Sequence, residues 1–417
     1  MLHQFTIKNF KSFKDEVTLD LTASTLKELP SDVVSDVMHE PVLKLAAIYG
    51  ANASGKSNVI KAFSTMVYAV LSSLVDEMAL SKVTPYWFED GKVPTEFTVL
   101  FSTATDIFQY QFSTLQGKVY EESLYQRDKR KVSEHFVLIF ERDGGQLTGE
   151  IAQRADVQTL EHLISPETLL LSMLSRLEIP VIKSVFAWFK QVQTLDYGNP
   201  RSEINKMYRF NSQKGRNPMI SLLEDPHENA DFEAFIQAVD VGISKIGVVT
   251  DDFLDDSGQA HKRVVSYHRD PRNGQLVQTA ISDESSGTRK MLMLYVDLKQ
   301  ALANGGTILI DELDAKLHPL LLRYILIMFH DPQLNLRGAQ LIFTTQELFT
   351  LDKDNFRRDE VWFVNKDESG ESDLYSLDTI QLADGKKVRN DASYGKDYIL
   401  GKFKATPVLK RLDRANG

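Results

Sequence analysis

The segment Gly50-Ala51-Asn52-Ala53-Ser54-Gly55-Lys56-Ser57 constrains this chain more than any other. It has the spacing G-x-x-x-x-G-K-S, and it lies between an apolar run, Leu43 to Tyr49, and a stretch with helical spacing of apolar residues. Strand, glycine-rich turn and helix in that order make a cradle for phosphate. The glycines let backbone N–H groups curl around an anion, and the helix N-terminus adds positive potential. Lys56 is spaced to bridge the β- and γ-phosphates of a bound nucleotide, and the Ser57 hydroxyl to ligate Mg2+. A chance Lys-Ser in an ordinary turn would not carry those flanks.

A second half-site is expected on an apolar strand that ends in acid, and Thr307-Ile308-Leu309-Ile310-Asp311-Glu312 supplies it. Asp311 is placed to hold the metal through water, and Glu312 to polarise the attacking water as general base. Composition narrows the rest. There is no cysteine, which excludes disulfides, thiolate catalysis and cysteine metal sites. The 48 Lys and Arg against 58 Asp and Glu give a net charge of −10, which speaks against a generally cationic nucleic-acid binder. With no leader-like apolar segment and no apolar run of about 18 residues, the sequence predicts a soluble, cytoplasmic protein without membrane association.

Periodicity predicts the elements. The first 25 residues alternate as a hairpin, and Lys56 to Leu80 reads as a helix. Glu96 to Arg142 reads as an antiparallel meander. A helix is expected to start at Ser165-Pro166-Glu167, and another runs from Asp231 to Val241. Asn273-Gly274 marks a hairpin, Ser286 to Ala303 a long helix, and Pro319 to His330 a further one. Ala339 to Thr345 reads as a buried strand, and VWFV and DLYSL as strands closing the sheet. Basic residues cluster at Arg127, Lys129, Arg130 and Lys131, at Arg201 to Arg216 around Tyr208 and Phe210, and at Lys402, Lys404, Lys410 and Arg411. Such clusters are more often solvated or partner-binding faces than nucleic-acid sites. Tyr86-Trp87-Phe88 reads as core packing rather than as a pocket wall.

Further motifs tie these features to one class. Asn9-Phe10-Lys11-Ser12-Phe13 and the loop Gly50 to Asn58 resemble the N-terminal "NF(K/R)SF" and "GxNxSGKSN" segments of ABC-type ATPase heads, the group that includes RecF and the SMC proteins. Glu284-Ser285-Ser286-Gly287-Thr288 stands where those heads carry the signature, and Leu313-Asp314 where they carry the D-loop. DESSGTRKM, ILIDELDAKLHPLL, GAQLIFTT, FRRDEVWFV and the segment Tyr398 to Pro407 resemble AAA-family ATPases of the AbiL and Rlo type, found in bacterial phage-defence systems. The resemblance implies an α/β fold: an ABC-ATPase-like head with a mixed central sheet, an antiparallel β subdomain and an inserted helical subdomain. It implies a first lobe over 1–95, the β subdomain over 96–150, an inserted helical and hairpin region over 151–280 and the second lobe over 281–417. ATP and Mg2+ are the implied cofactors, with Asn52, Ser54 and Asn58 joining the phosphate-loop contacts.

In such heads the signature of one subunit caps the nucleotide held by the other, so Ser285, Ser286, Gly287 and Asp314 are expected to act across a homodimer or larger homo-oligomer. These heads place a histidine after the Thr-Thr pair; here the position holds Gln346, which donates a hydrogen bond but carries no charge, so slow turnover is expected. Gln109 and Gln111 are weak candidates for the Q-loop. The favoured reading is an ATPase that regulates a separate effector, a nuclease or toxin encoded nearby. The alternative is a RecF-like ATPase acting on DNA directly. The short stretch after Gln346, with Asp367 and Asp373 at an apparent hairpin, speaks against a self-contained nuclease.

Overall fold

A computed structural model of the chain describes residues 1–35, 41–128, 135–161, 163–199, 218–239, 242–254, 260–315, 317–382 and 385–406. In chain order the strands are β1 (Leu2–Lys8), β2 (Val17–Asp20), β3 (Val33–Ser35), β4 (Pro41–Leu43), β5 (Leu45–Tyr49), β6 (Thr95–Ser102), β7 (Asp106–Leu115), β8 (Lys118–Asp128), β9 (Val137–Asp143) and β10 (Gln146–Thr148). They continue with β11 (Gln193–Asp196), β12 (Ile243–Leu254), β13 (Ala260–Arg269), β14 (Leu276–Ala280), β15 (Thr307–Asp311), β16 (Gln340–Thr344), β17 (Val361–Lys366) and β18 (Ser372–Ser376). The helices are α1 (Lys56–Ser72), α2 (Ala155–Glu161), α3 (Leu170–Leu174), α4 (Pro180–Gln191), α5 (Pro218–Glu224), α6 (Pro226–Val239), α7 (Ser286–Asn304), α8 (Pro319–His330) and α9 (Tyr394–Ile399).

Two large sheets result. One is antiparallel, with strand order β10-β9-β8-β7-β6-β1-β2, so the N-terminal hairpin and the meander share a single sheet. The other is mixed, with order β11-β15-β16-β5-β17-β18: every pair is parallel except β17 with the closing strand β18. Strand β5 lies inside this sheet with all five residues buried, as a continuous apolar run demands. Its side chains alternate between two cores. Ala46 and Ile48 join α1, α3, α4 and the antiparallel sheet, whereas Leu45, Ala47 and Tyr49 join α7, α8 and the C-terminal segment. Helix α1 packs on the first of these cores through Val59, Ile60, Phe63, Met66 and Val70. A third sheet, β12-β13-β14, carries the hairpin foreseen at Asn273-Gly274.

Three helix boundaries differ from expectation. Helix α1 stops at Ser72, not Leu80, because Ser73 is buried and tied to the α3 entry: its Oγ accepts the Leu169 amide at 3.2 Å, and its carbonyl accepts Thr168 Oγ1 at 3.2 Å. No helix starts at Ser165 either. Ser165 closes a short turn with Thr168, and α3 begins at Leu170, where Glu122 of β8 replaces a local cap. Its buried carboxylate accepts the amides of Leu170 (2.6 Å) and Leu171 (2.9 Å) and the Tyr110 hydroxyl (2.9 Å). A cap supplied from another strand is invisible to a local motif search. Helix α6 also starts earlier than expected, at Pro226. Tyr86 is buried as foreseen, but Trp87 and Phe88 are 66% and 71% exposed and are not core. Residues 129–131, 201–216, 410 and 411 of the basic clusters lie outside the described residues.

Glu122→Ala would leave two amides and a hydroxyl without their acceptor in the core. It should lower unfolding free energy by about 3 kcal/mol or more in urea titrations, with the slope unchanged.

Candidate functional site

The phosphate-type loop leaves β5 at Gly50 and enters α1 at Lys56. Its conformation needs its glycines. Gly50 has φ 154° and faces the Val364 carbonyl, where a Cβ would come within 2.3 Å; Gly55 has φ 112° and is hemmed in by Ser372 and Ser12. Ala53, at φ 62°, is the one non-glycine residue of the loop in the left-handed region. Lys56 is buried, and its Nζ donates to the carbonyls of Gly50 (2.7 Å) and Ala51 (3.0 Å), which places the ammonium within the curl of the loop. Burial pulls its pKa down, and the carboxylates of Asp311, Asp314 and Glu312 oppose that shift. Residues far apart in sequence thus converge on one ammonium.

The Asn9–Phe13 motif turns out to be the buttress of this loop. Phe10 and Phe13 are fully buried, and their backbones pair with each other at 2.7 and 2.8 Å. That tight turn presents Ser12, whose Oγ accepts from Asn58 Nδ2 at 2.8 Å and whose carbonyl accepts the Ser372 amide at 2.7 Å. Ser372 of β18 then donates its hydroxyl to the Ser54 carbonyl at 2.6 Å. Asn58 therefore braces the loop from behind, Asn52 is exposed at its tip, and Ser57 is half-buried on the first turn of α1.

Parallel pairing of β15 and β16 brings the acidic pair alongside. The Thr344 hydroxyl donates to Asp311 Oδ1 at 2.6 Å and accepts the Glu312 amide at 2.8 Å. Glu312 sits at φ 52°, a left-handed conformation that costs a non-glycine residue about 1 kcal/mol or more and must be held by its surroundings. Burial, followed by the charges of Asp311, Asp314 and Asp196, holds its pKa above the ordinary carboxylate range. Asp314 accepts the Gln346 amide at 3.2 Å, which ties the turn after β15 to the turn after β16; the Gln346 side chain is exposed. The oxygen donors of Ser57 and Asp311 suit Mg2+, which binds through one or two protein oxygens and takes the rest from phosphates and water. Among the described residues no group of three or more His, Asp or Glu side chains is arranged to hold a metal by itself.

The ESSGT segment opens α7. Ser285 is its N-cap, with Oγ accepting the Thr288 amide at 3.1 Å, and Ser285 and Ser286 are exposed. Glu284 is fixed from the third sheet: its carboxylate is reached by His268 Nε2 at 2.7 Å, by the Ser266 hydroxyl, and by Thr279 Oγ1 at 3.4 Å. The cap thus carries more built structure than an ordinary serine cap requires.

Gln109 and Gln111 point elsewhere. They lie on β7, in the antiparallel sheet, and bond to each other at 3.4 Å. The element beside the acidic pair is instead β11, which runs parallel to β15 with Asp196 opposite Asp311. After it the Tyr197 amide donates to the Asp311 carbonyl at 3.1 Å, and Gly198 packs so closely on Glu312 that a Cβ would lie 2.5 Å from Oε2. No motif marked QTLDYGN; only the sheet order brings it to the site.

Gly198 has no left-handed φ, so alanine is conformationally allowed there and only the carboxylate contact changes. Gly198→Ala should leave the melting temperature within a few degrees of wild type. It should displace Glu312 enough to lower kcat for ATP by about tenfold to a hundredfold with nucleotide affinity retained, measured by steady-state hydrolysis and titration calorimetry.

No curated protein matches the chain. Solved structures similar to it include the SMC head domain from Thermotoga maritima, 12% identical, covering 90% of this chain and 98% of that one at a TM-score of 0.40. Another is the recombination mediator protein RecF with ATP in the RecFOR pathway, 12% identical, covering 90% and 97% at a TM-score of 0.32. The family model that matches is described as "AAA domain, putative AbiEii toxin, Type IV TA system", over residues 45–352. That span takes in the phosphate-type loop, the signature-like cap and the Asp311–Glu312 turn of a 417-residue chain, and the chain belongs to this family of Abi-type AAA ATPases.

Proposed function

We propose that the chain binds ATP at the Gly50–Ser57 loop, hydrolyses it slowly, and uses the cycle to form and release a head-to-tail dimer that regulates a separate effector protein, a nuclease or toxin, in anti-phage defence. The observation that carries the reading is the sheet order: with β5 and β15 both parallel to β16, the glycine-built loop that holds Lys56 and the turn that holds Asp311 and Glu312 leave the same edge of the sheet. The chemistry follows from the residues. Lys56 would exchange the Gly50 and Ala51 carbonyls for β- and γ-phosphate oxygens, which cost less to desolvate beside a cation already buried. Ser57 and Asp311 would hold Mg2+, which supplies neutralisation of the phosphate charge. Glu312, held by Thr344 and Gly198, would take a proton from the attacking water, and Gln346 would donate a hydrogen bond near the γ-phosphate.

The trans arrangement is supported by the exposure of Ser285 and Ser286, at a helix N-terminus whose free N–H groups suit an anion from outside the chain. ATP would then join two copies, and its loss would part them, because the nucleotide binds only the paired state at both faces. The family description, which names a toxin and a toxin–antitoxin system, sets this reading in a toxin-associated context.

Glu312→Gln keeps the binding groups and removes the base, so it should give a stable dimer with ATP–Mg2+ in light scattering or mass photometry. Lys56→Ala should stay monomeric under the same conditions. A Glu312→Gln protein that remains a monomer at saturating ATP removes the trans-site model, and assembly only on a DNA duplex would favour direct action on DNA. The pH dependence has a fixed sign. A base must be ionised to act, and its raised pKa moves the acid limb of kcat/KM above the usual carboxylate range of about 4.3. Activity should therefore climb with pH across that limb, as read by steady-state hydrolysis from pH 4.5 to 8.

A further inference from the structure

Lys290 is a buried cation with an unusual set of partners. It lies on the first turns of α7 and is 1% exposed. Its Nζ donates to three backbone carbonyls of one turn: Glu312 at 3.4 Å, Leu313 at 3.0 Å, and Ala315. The same ammonium lies 4.6 Å from the centroid of the Tyr197 ring, a cation–π distance. Burying a lysine is costly unless its donors are satisfied, so a site that retains one uses the charge for something.

What those contacts hold is the turn that aims Glu312. The residue is in the left-handed region, and its amide and that of Leu313 are taken by Thr344, from the hydroxyl at 2.8 Å and the carbonyl at 3.1 Å. The Ala315 amide closes the turn on the Glu312 carbonyl at 3.0 Å. The N–H groups are thus fixed from β16, and the carbonyls of 312, 313 and 315 are gathered on Lys290. Tyr197, under the ammonium, is followed directly by Gly198, which packs on the Glu312 carboxylate. One cation therefore joins the turn beneath the carboxylate to the strand end that lies against it.

We propose that Lys290 is a positioning residue for Glu312, and that it couples the Ser285 cap of α7 to the hydrolytic turn. Lys290 stands five residues along the helix that Ser285 caps, so a shift of α7 on engaging a second copy moves the ammonium and with it the 312–315 carbonyls. This rests on the reading of Glu312 as the base, and the experiment separates the two. Lys290→Met should retain ATP affinity within about twofold while kcat falls about a hundredfold, because the charge touches the turn and not the nucleotide. Lys290→Arg, which keeps the cation but spreads its donors, should restore part of kcat. In parallel, the amides of Leu313 and Ala315 should exchange with deuterium at least tenfold faster in Lys290→Met than in wild type.

Wild-type kcat in Lys290→Met, or a loss of kcat matched by an equal loss of ATP affinity, overturns the inference. If Lys290→Met does not fold, Lys290→Arg carries both readouts, with reduced kcat at unchanged affinity expected. If the wild type hydrolyses no ATP, the proposed function fails, and the exchange of Leu313 and Ala315 still decides the role of Lys290: unchanged exchange rejects it.

Discussion

The Thr344 hydroxyl donates a hydrogen bond to Asp311 Oδ1 at 2.6 Å and accepts one from the Glu312 amide at 2.8 Å, and the site depends on that pair of bonds. They fix the C-terminal ends of two adjacent parallel strands against each other. In an open α/β sheet, that edge is where ligands bind, because the loops leaving the strands diverge there. With β15 and β16 locked in register, and β5 paired to β16 on its other side, the Gly50–Ser57 loop and the acidic turn can only face the same space. The electrostatic exchange among Lys56, Asp311, Glu312 and Asp314 is the consequence.

Much of this was legible in the sequence where chemistry is local. The glycine spacing, the apolar run ending in Asp311-Glu312 and the serine cap of α7 each state their structure within about ten residues. Helices alternating with apolar strands in the C-terminal part of the chain suggest an α/β sheet. What stayed hidden was what depends on partners distant in the chain. Glu122 caps α3 from another strand, Ser372 props Ser54 from more than three hundred residues away, and Gly198 reaches Glu312 only because β11 pairs with β15. Asn9–Phe13 was readable as a motif, but its work, bracing the phosphate-type loop through Ser12, belongs to the fold.

The ESSGT cap occupies a mechanical junction. Behind it, Glu284 is gripped by Ser266 and His268 of β13 and by Thr279 of β14, and Arg289 donates to the Ser282 and Glu284 carbonyls at 2.9 and 2.6 Å. Just after it, Lys290 on the first turns of α7 reaches the Glu312 turn. The contacts of Glu284, Arg289 and Lys290 thus all fall at the N-terminal end of α7, so the cap and the Glu312 turn share one anchored helix end. The three-stranded sheet β12-β13-β14 therefore grips the segment just before the cap.

On the proposed function, the Gly50–Ser57 loop and the Asp311–Glu312 turn form one ATP site completed by a second copy. The most direct measurement is an electron-density map of the Glu312→Gln protein with ATP and Mg2+. Phosphates are expected within the 50–57 loop, with Lys56 withdrawn from the Gly50 and Ala51 carbonyls onto them and the Ser285 cap of a second copy at the γ-phosphate. Nucleotide bound elsewhere on the molecule, or held in this loop with no second copy against it, would contradict that function.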